Sequence, residues 1–527
     1  MGHERQGLLD KSTTITTVVT TAPSNESIDR FTGSELVIGL VGAVGADLKT
    51  VRDILVERLK VYKYEVKPIK VTQDVFPIIY SEIISHSCEY ERIKAYMTAG
   101  NKARNNSGYN EILALGAASI ISEQRSESNT RKGEKTVSNR CAYIIDSLKH
   151  PKEVEKLRDI YSEGFFLIGV YSDRDSRIKI LTDLLMNEKQ AEELIQRDED
   201  EHLPYGQLTR DTFHLSDFFI HVEEGITKVK YKNDIHRILN IIFGEPYATP
   251  TNDEFAMFMA FASSLRSANL SRQVGAVIVN DCQEIISMGF NDCPKFGGGL
   301  YQPIYDKINE IIIDFDGGRD HTIKHDSNTK EVISIIKEVA DLIKSELETD
   351  IDETGLRGII EKSRVKDITE FGRSVHAEME ALLCCSRNGI NMRGATLYCT
   401  TYPCHNCAKH IVAAGIQRVV YIEPHHKSQA IKLHPDSICS GINCSSEKVQ
   451  FQPFIGVGPR RFFDLFSTKL SSGYPIKRKN ENGSIIDWDP GNAELRMQLL
   501  PVSYIHREEA AVRHFMKYIE GGDPNAK

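Results

Sequence analysis

Several things are missing from this chain, and each absence narrows what it can be. Its 527 residues contain no apolar run approaching the ~20 residues that a membrane-spanning helix requires. The stretch from Met1 to Ile28 is rich in Thr and Ser and has no apolar core. It therefore suits neither a signal peptide nor an anchor, and residues 1–30 are expected to form a flexible arm. Positive charge is in deficit: 65 Lys and Arg against 74 Asp and Glu leave a net charge of −9. That balance disfavours a broad basic face for nucleic acid. The 11 cysteines are odd in number and scattered, so a disulfide framework is not expected. Reduced thiols, Cys439 and Cys444 included, suit the cytoplasm. Tryptophan occurs once, at Trp488, in a C-terminal stretch expected to be peripheral.

What remains is ordinary globular material, 40% hydrophobic and 26% charged. The length exceeds what one core usually holds, so two or three domains are expected. The first should occupy residues 31–245. Glu35–Leu40 is an apolar strand that runs into Val41-Gly-Ala-Val-Gly-Ala-Asp-Leu-Lys-Thr50, with Val51, Leu55 and Leu59 at helical spacing beyond it. A strand, a glycine-rich turn with Lys-Thr and then a helix form the setting of a phosphate-binding loop. Gly42, Gly45, Lys49 and Thr50 are its candidate residues. The spacing is off, because Leu48 stands where the lysine belongs and Lys49 comes one residue late. A plain turn whose glycines only permit tight packing is the competing reading. Asp146, at the end of the strand Cys141–Ile145, is placed either to hold Mg2+ or to cap a turn. Arg174 and Arg177 follow another strand, Phe165–Tyr171, and either reach phosphates or face solvent. Strands interleaved with helices predict a doubly wound domain of P-loop type.

Gly244-Glu-Pro-Tyr-Ala-Thr-Pro250 reads as a linker. Thr251-Asn-Asp-Glu254 has capping-box form and opens a helix, with Phe255, Phe258, Ala262 and Leu265 expected on its buried face. A hairpin follows, Ser271–Val279 and Glu284–Gly289, leading to Phe290-Asn291. Leu300–Arg373 is an insertion whose Val332, Ile336, Val339 and Ile343 mark an amphipathic helix. His321 and His325, with Cys282 and Cys293 not far off in sequence, make a second, structural metal site conceivable.

The most informative stretch is Ser374–Cys407. It contains Ser-Val-His376-Ala-Glu378 and, downstream, Thr-Tyr-Pro-Cys404-His-Asn-Cys407. His-x-Glu followed by Pro-Cys-x-x-Cys is the signature of zinc nucleobase deaminases. A hydrolytic zinc site takes three protein ligands and keeps one position for water. His376, Cys404 and Cys407 supply one imidazole and two thiolates. A Cys-x-x-Cys pair opening a helix turns both sulfurs toward one point, where the helix amides favour thiolate. Glu378 is then placed to move protons beside the activated water. A structural zinc knot is the bland reading, but it usually takes four protein ligands and no fourth is evident. Helix His376–Asn388, strand Ala395–Thr400, helix Ala408–Gly415 and strand Arg418–Ile422 alternate, which predicts an α/β layer.

Arg272-Gln-Val-Gly-Ala-Val-Ile-Val, Gly289-Phe-Asn291, His-Ala-Glu and Pro-Cys-x-x-Cys occur in the order seen in deoxycytidylate deaminases. With its P-loop-like N-terminal half, the whole chain resembles the bacterial anti-phage dCTP deaminases. The sharp motifs lie within roughly residues 270–425. The resemblance implies a cytidine-deaminase-like α/β/α domain over residues 246–527, with the insertion at 300–373. It implies conversion of free deoxycytidine nucleotides, dCTP or dCMP, to deoxyuridine nucleotides, with Asn291 touching sugar or base and Arg272 near the phosphates. It further implies a cytoplasmic homo-oligomer that drains the dCTP pool during phage infection. ATP or GTP with Mg2+ would sit at the N-terminal domain, and a small RNA would act as regulator. Taken alone, Asn291 fits a left-handed turn residue and Arg272 an exposed strand-end charge. Two other functions stay open at this stage. One is deamination of cytosine or adenosine within RNA or single-stranded DNA. The other is a P-loop switch carrying a non-catalytic deaminase module.

Overall fold

The first strand, β1 (Leu36–Gly42), buries every residue. Leu36, Ile38 and Leu40 enter one core, while Val37 and Val41 enter another on the opposite face. This two-residue alternation with both faces apolar means helices must cover both sides. β1 sits inside a six-stranded sheet with β2 (Glu65–Lys70), β3 (Cys141–Asp146), β4 (Phe165–Tyr171), β5 (Phe218–His221) and the short β14 (Gly456–Val457). The order is β14-β5-β4-β1-β3-β2, parallel except for β14. In this computed structural model the described residues are 33–519, apart from 81–85, 129–137, 200, 202–204, 223–227, 348–352, 364, 366–367, 369, 425–427, 442–446 and 500. The arm expected over residues 1–30 lies outside them. Among the described residues no helix is long and apolar enough to cross a membrane.

The second sheet has the order β12-β13-β11-β10-β6-β7. β6 (Gly275–Val279) and β7 (Ile285–Phe290) form the antiparallel hairpin, and β6 pairs antiparallel with β10 (Thr396–Thr401). β11 (Arg418–Glu423), β13 (Val449–Pro453) and β12 (Ile438–Ser440) continue in parallel. Two glycines set the distance between this hairpin and its helices. A Cβ on Gly275 would lie 1.9 Å from the Ala260 carbonyl oxygen, and one on Gly289 would lie 2.1 Å from that of Ala377. Helix Asn252–Ser264 therefore lies directly against β6, and helix Ala377–Arg387 against β7.

That close approach corrects the expected face of the first helix. Apart from the capping Glu254, its buried residues are the small ones, Ala256, Ala260, Ser263 and Ser264, together with Met257, whereas Phe255 and Leu265 are exposed. Bulkier rings would not fit where backbone meets backbone. Phe258 instead stacks on Phe462, with ring centroids 4.1 Å apart.

The insertion carries a small hairpin, β8 (Ile304–Asp306) with β9 (Ile311–Ile313), and the helices Ser327–Leu347 and Glu353–Ile360. Val332, Ile336, Ala340, Leu356 and Ile360 make a core of their own there.

The C-terminal stretch is not peripheral. After β13 the chain crosses to the first sheet, where β14 pairs with β5. Ala493, Leu495 and Met497 then enter one core of that sheet. Leu499, Tyr504, Ala511 and Phe515 enter the other. Arg125, buried, is held between Glu35 at 2.9 Å and Glu508 of the tail helix Pro501–Ile519. Trp488 packs against the first of these cores. The tail's charged and apolar residues meet partners hundreds of positions away, so its composition alone gave no sign of this burial. Cys439, expected to be a free thiol, is disulfide-bonded, and Cys444 lies outside the described residues.

Candidate active site

Three side chains converge at the edge where β10 ends. His376 is the N-cap of helix Ala377–Arg387, and Cys404 is the N-cap of helix His405–Ala413. The Cys404 sulfur accepts the Cys407 backbone N–H at 3.4 Å, so the helix start orients it. The sulfurs of Cys404 and Cys407 each lie 3.4 Å from His376 Nδ1. One donor atom from each residue falls within 4.8 Å of the others, and this is the only such cluster among the described residues. Hydrogen bonding from Cys407 pushes Cys404 down to about 3, and the bond to Cys404 pushes His376 up to about 9. One imidazole and two sulfurs at this spacing fit a zinc ion with a fourth position left over. His405 does not join them.

Glu378 is one helical step further in and only 4% exposed. Burial raises its carboxyl pKa, opposed by the positive charge of His376. A buried carboxyl beside such a donor set holds its proton more tightly than one in water, which suits a general acid–base.

Asn291 closes the end of β7. Its Oδ1 accepts the Val274 N–H at 2.7 Å, and its Nδ2 donates to the Arg272 carbonyl at 2.9 Å. Its backbone is not left-handed, so the turn-residue alternative fails. The amide ties together the two strand ends of the hairpin and keeps one N–H and one lone pair spare. Arg272 is half exposed, and its guanidinium donates to Glu423 at 2.9 Å.

Residues that sequence reasoning missed brace the same edge. Asp292, buried, accepts from Arg319 of the insertion at 2.6 Å and from the Ala268 N–H at 3.1 Å. Ser374 accepts from Asn269 at 2.7 Å. Asp292 adjoins Asn291 and was at least in view, but nothing in the sequence marks Arg319 as its partner. The conceivable second metal site does not assemble. His321 faces Asp314 at 3.2 Å, His325 bonds the Ile323 carbonyl, Cys282 is exposed and Cys293 donates to Asp320.

The glycine turn after β1 is closed by the chain's own groups. The Val44 N–H donates to Asp198 at 2.8 Å, and Lys149 bridges the Gly42 carbonyl (2.7 Å) and Asp198 (2.9 Å). Asp47 caps helix Leu48–Val61, accepting from the Thr50 backbone and hydroxyl. A Cβ on Gly45 would lie 2.8 Å from the Arg177 carbonyl. Lys49 is exposed, and Asp146 pairs with Arg52 at 2.8 Å. Arg177 pairs with Glu199 and Arg174 with Glu192. Carboxylates stand where phosphates would be cradled, so the residues present do not fit ATP or GTP with Mg2+.

The family model for the cytidine and deoxycytidylate deaminase zinc-binding region matches residues 250–423. That span runs from the helix before β6 to the end of β11 and leaves the first sheet outside it. The chain is 31% identical over 173 residues to the deoxycytidylate deaminase of Enterobacteria phage T2, covering 32% of this chain and 79% of that one. It is 46% identical over 63 residues to ComE operon protein 2 of Bacillus subtilis, covering 12% of this chain and 30% of that protein. Among solved structures, dCMP deaminase from the cyanophage S-TIM5 in complex with dCMP and dUMP aligns with 17% identity and a TM-score of 0.22, over 40% of this chain and 100% of that one. The phage T2 enzyme is matched over most of its length, and the span of the family model holds His376, Glu378, Cys404 and Cys407: this chain belongs to the deoxycytidylate deaminase family.

Proposed function

We propose that the protein hydrolytically deaminates free deoxycytidine nucleotides, dCMP and dCTP, to the deoxyuridine forms with release of ammonia. The observation that carries this reading is the buried Glu378 carboxyl beside a donor set of one imidazole and two sulfurs. His376, Cys404 and Cys407 would hold zinc, and the chemistry zinc supplies when bound is activation of water for attack at C4 of cytosine. Glu378 takes the proton from the attacking water and delivers it to the ring nitrogen. It then carries a proton to the departing amino group, so that water supplies the new oxygen and ammonia leaves. The spare N–H and lone pair of Asn291 suit a contact to sugar or base. Arg272, once freed from Glu423, suits a phosphate.

The extension to dCTP rests on the likeness of the whole chain to anti-phage dCTP deaminases, as does a role in draining that pool during infection. A cytoplasmic homo-oligomer and a regulatory small RNA belong to the same proposal. The test is chromatography of dCTP, dCMP, CTP, CMP and dATP after incubation with the zinc-loaded protein, with Glu378→Ala as control. Formation of a deoxyuridine nucleotide by the wild type alone is the expected result. Turnover confined to cytosine in RNA or single-stranded DNA would overturn it.

A further inference from the structure

The insertion joins the deaminase body at a buried ion pair. Its helices close a hydrophobic core of their own, yet at its root Arg319 is 3% exposed and Asp292 2%. The guanidinium donates twice to Asp292, from Nε at 3.0 Å and from Nη2 at 2.6 Å. It also donates to Asp314 and to the Arg266 carbonyl, both at 3.1 Å. Asp292 in turn accepts the N–H groups of Ala268 at 3.1 Å and Cys293 at 2.8 Å. One carboxylate thus ties together the exit of helix Asn252–Ser264, the end of β7 and the insertion.

Stability is a poor reason for such a pair. Two charges taken out of water regain little more than they lose, and well-packed apolar side chains of the same size hold a fold as well. What a doubly bonded Arg–carboxylate pair does supply is fixed geometry. Here the fixed object is a short stretch of chain with the site on both sides of it. Asn291 directly precedes Asp292, and its carbonyl accepts the Ser267 hydroxyl at 2.6 Å. The Asp292 carbonyl accepts the Val375 N–H at 2.9 Å, in an isolated antiparallel bridge one residue before His376. The metal side has a second anchor that does not involve Arg319. Helix Ala377–Arg387, which His376 caps, lies against β7 at Gly289. On the substrate side, Asn291 gives one N–H to Arg272 and one lone pair to Val274, so its backbone sets where the spare N–H and lone pair point.

We propose that Arg319 is a positioning residue for the deamination. Acting through Asp292, it registers Asn291 against His376, so that a nucleotide meets its polar contact and the metal donors at one spacing. This role rests on the reading of the site as a deoxycytidine nucleotide deaminase. It gives the insertion a share in substrate binding: the root of the insertion sets KM, while kcat is left to Glu378 and the helix that carries it.

The test compares the full-length, zinc-loaded protein with Arg319→Gln, Arg319→Lys and the double variant Asp292→Asn, Arg319→Gln. Turnover of dCMP and dCTP, calorimetric binding of the products dUMP and dUTP, zinc content and melting temperature are measured for each. Arg319→Gln should raise KM and weaken product binding by about tenfold, in line with the loss of charged hydrogen bonds, with kcat within about threefold and zinc content unchanged. Arg319→Lys keeps the charge without the fork and should fall between that variant and wild type. If Arg319→Gln fails to fold, the double variant, with neither charge left to bury, should melt near wild type and still show KM raised about tenfold. Unaltered KM and product affinity in the folded variants would overturn the proposal. So would a double variant that regains wild-type KM along with its stability, or a kcat that falls in step with zinc content, since either makes the pair merely structural. Wild-type protein that neither converts dCMP or dCTP nor binds their products would overturn the deaminase reading and this role together. Wild-type turnover with unchanged variants would overturn this role alone.

Discussion

Two strand-to-helix junctions in this molecule have nearly the same backbone plan and opposite contents. After β1, a glycine turn leads into helix Leu48–Val61. After β10, Tyr-Pro-Cys leads into helix His405–Ala413. Each presents helix amides at the end of a parallel strand, where anions are favoured. At the first junction the capping Asp47 and the distant Asp198 take up the amides, and Lys149 neutralises Asp198. At the second, the capping group is a cysteine whose sulfur faces a second sulfur and an imidazole, a set that a cation completes. A helix start becomes a site or a structural joint according to which side chains claim it.

The comparison can be broken at four points. Removing the proton carrier that faces the second junction from helix Ala377–Arg387 should have the largest effect. Glu378→Ala is expected to lower the deamination rate by about 10³-fold while zinc, measured by atomic emission, stays at wild-type stoichiometry. Zinc loss in that variant would make Glu378 structural. Next comes Gly289→Ala. Its new Cβ would collide with the Ala377 carbonyl and push the helix bearing Glu378 off β7. A displacement of that kind should cost about 10² in kcat/KM, and an unchanged rate would show that the contact relaxes freely.

At the first junction the expected losses are in stability. Asp198→Ala removes the carboxylate shared by the part-buried Lys149 and the Val44 amide, leaving Lys149 only the Gly42 carbonyl. We expect about 3 kcal/mol of destabilisation, seen as a melting transition lowered by roughly 6–12 °C with the deamination rate per folded molecule unchanged. A melting curve identical to wild type would show that this closure is incidental. Lys49→Ala should do least, within about 0.5 kcal/mol of wild type, because its side chain is exposed. A measurable drop in ATP affinity in that variant would restore the turn as a phosphate site.

Much of the zinc-bearing half was legible in the sequence because its chemistry is local. His376 and Glu378 are two apart, Cys404 and Cys407 three apart, and one short strand, β10, lies between the pairs. What escaped was set by distant partners. The carboxylate that seals the β1 turn comes from Asp198, 154 residues beyond the amide it accepts. One of the two carboxylates that hold Arg125 in the core belongs to Glu508, 383 residues away. The buried face of helix Asn252–Ser264 was misassigned because apolar size was taken as the signal. The deciding feature was the missing Cβ of Gly275 on the facing strand. Asn291 was seen as a functional position, but its bonds to Val274 and Arg272 show that it first holds the hairpin's own ends together.

The two-residue strand β14 has a consequence for the birth of the molecule. It carries the chain from one sheet into the other, and Leu465, Leu495, Met497, Leu499, Tyr504 and Phe515 beyond it fill cores laid down by residues 36–243. A ribosome therefore releases the first domain's strands long before the pieces that seal them exist. Until the deaminase half has been made and has folded, Arg125 waits without Glu508, and the apolar groove for Leu499 and Phe515 stays open to water. Assembly of the older half is thereby timed by completion of the younger one, so a chain halted after β13 would present an unfinished first domain to the cell's quality control, whatever the state of its zinc site.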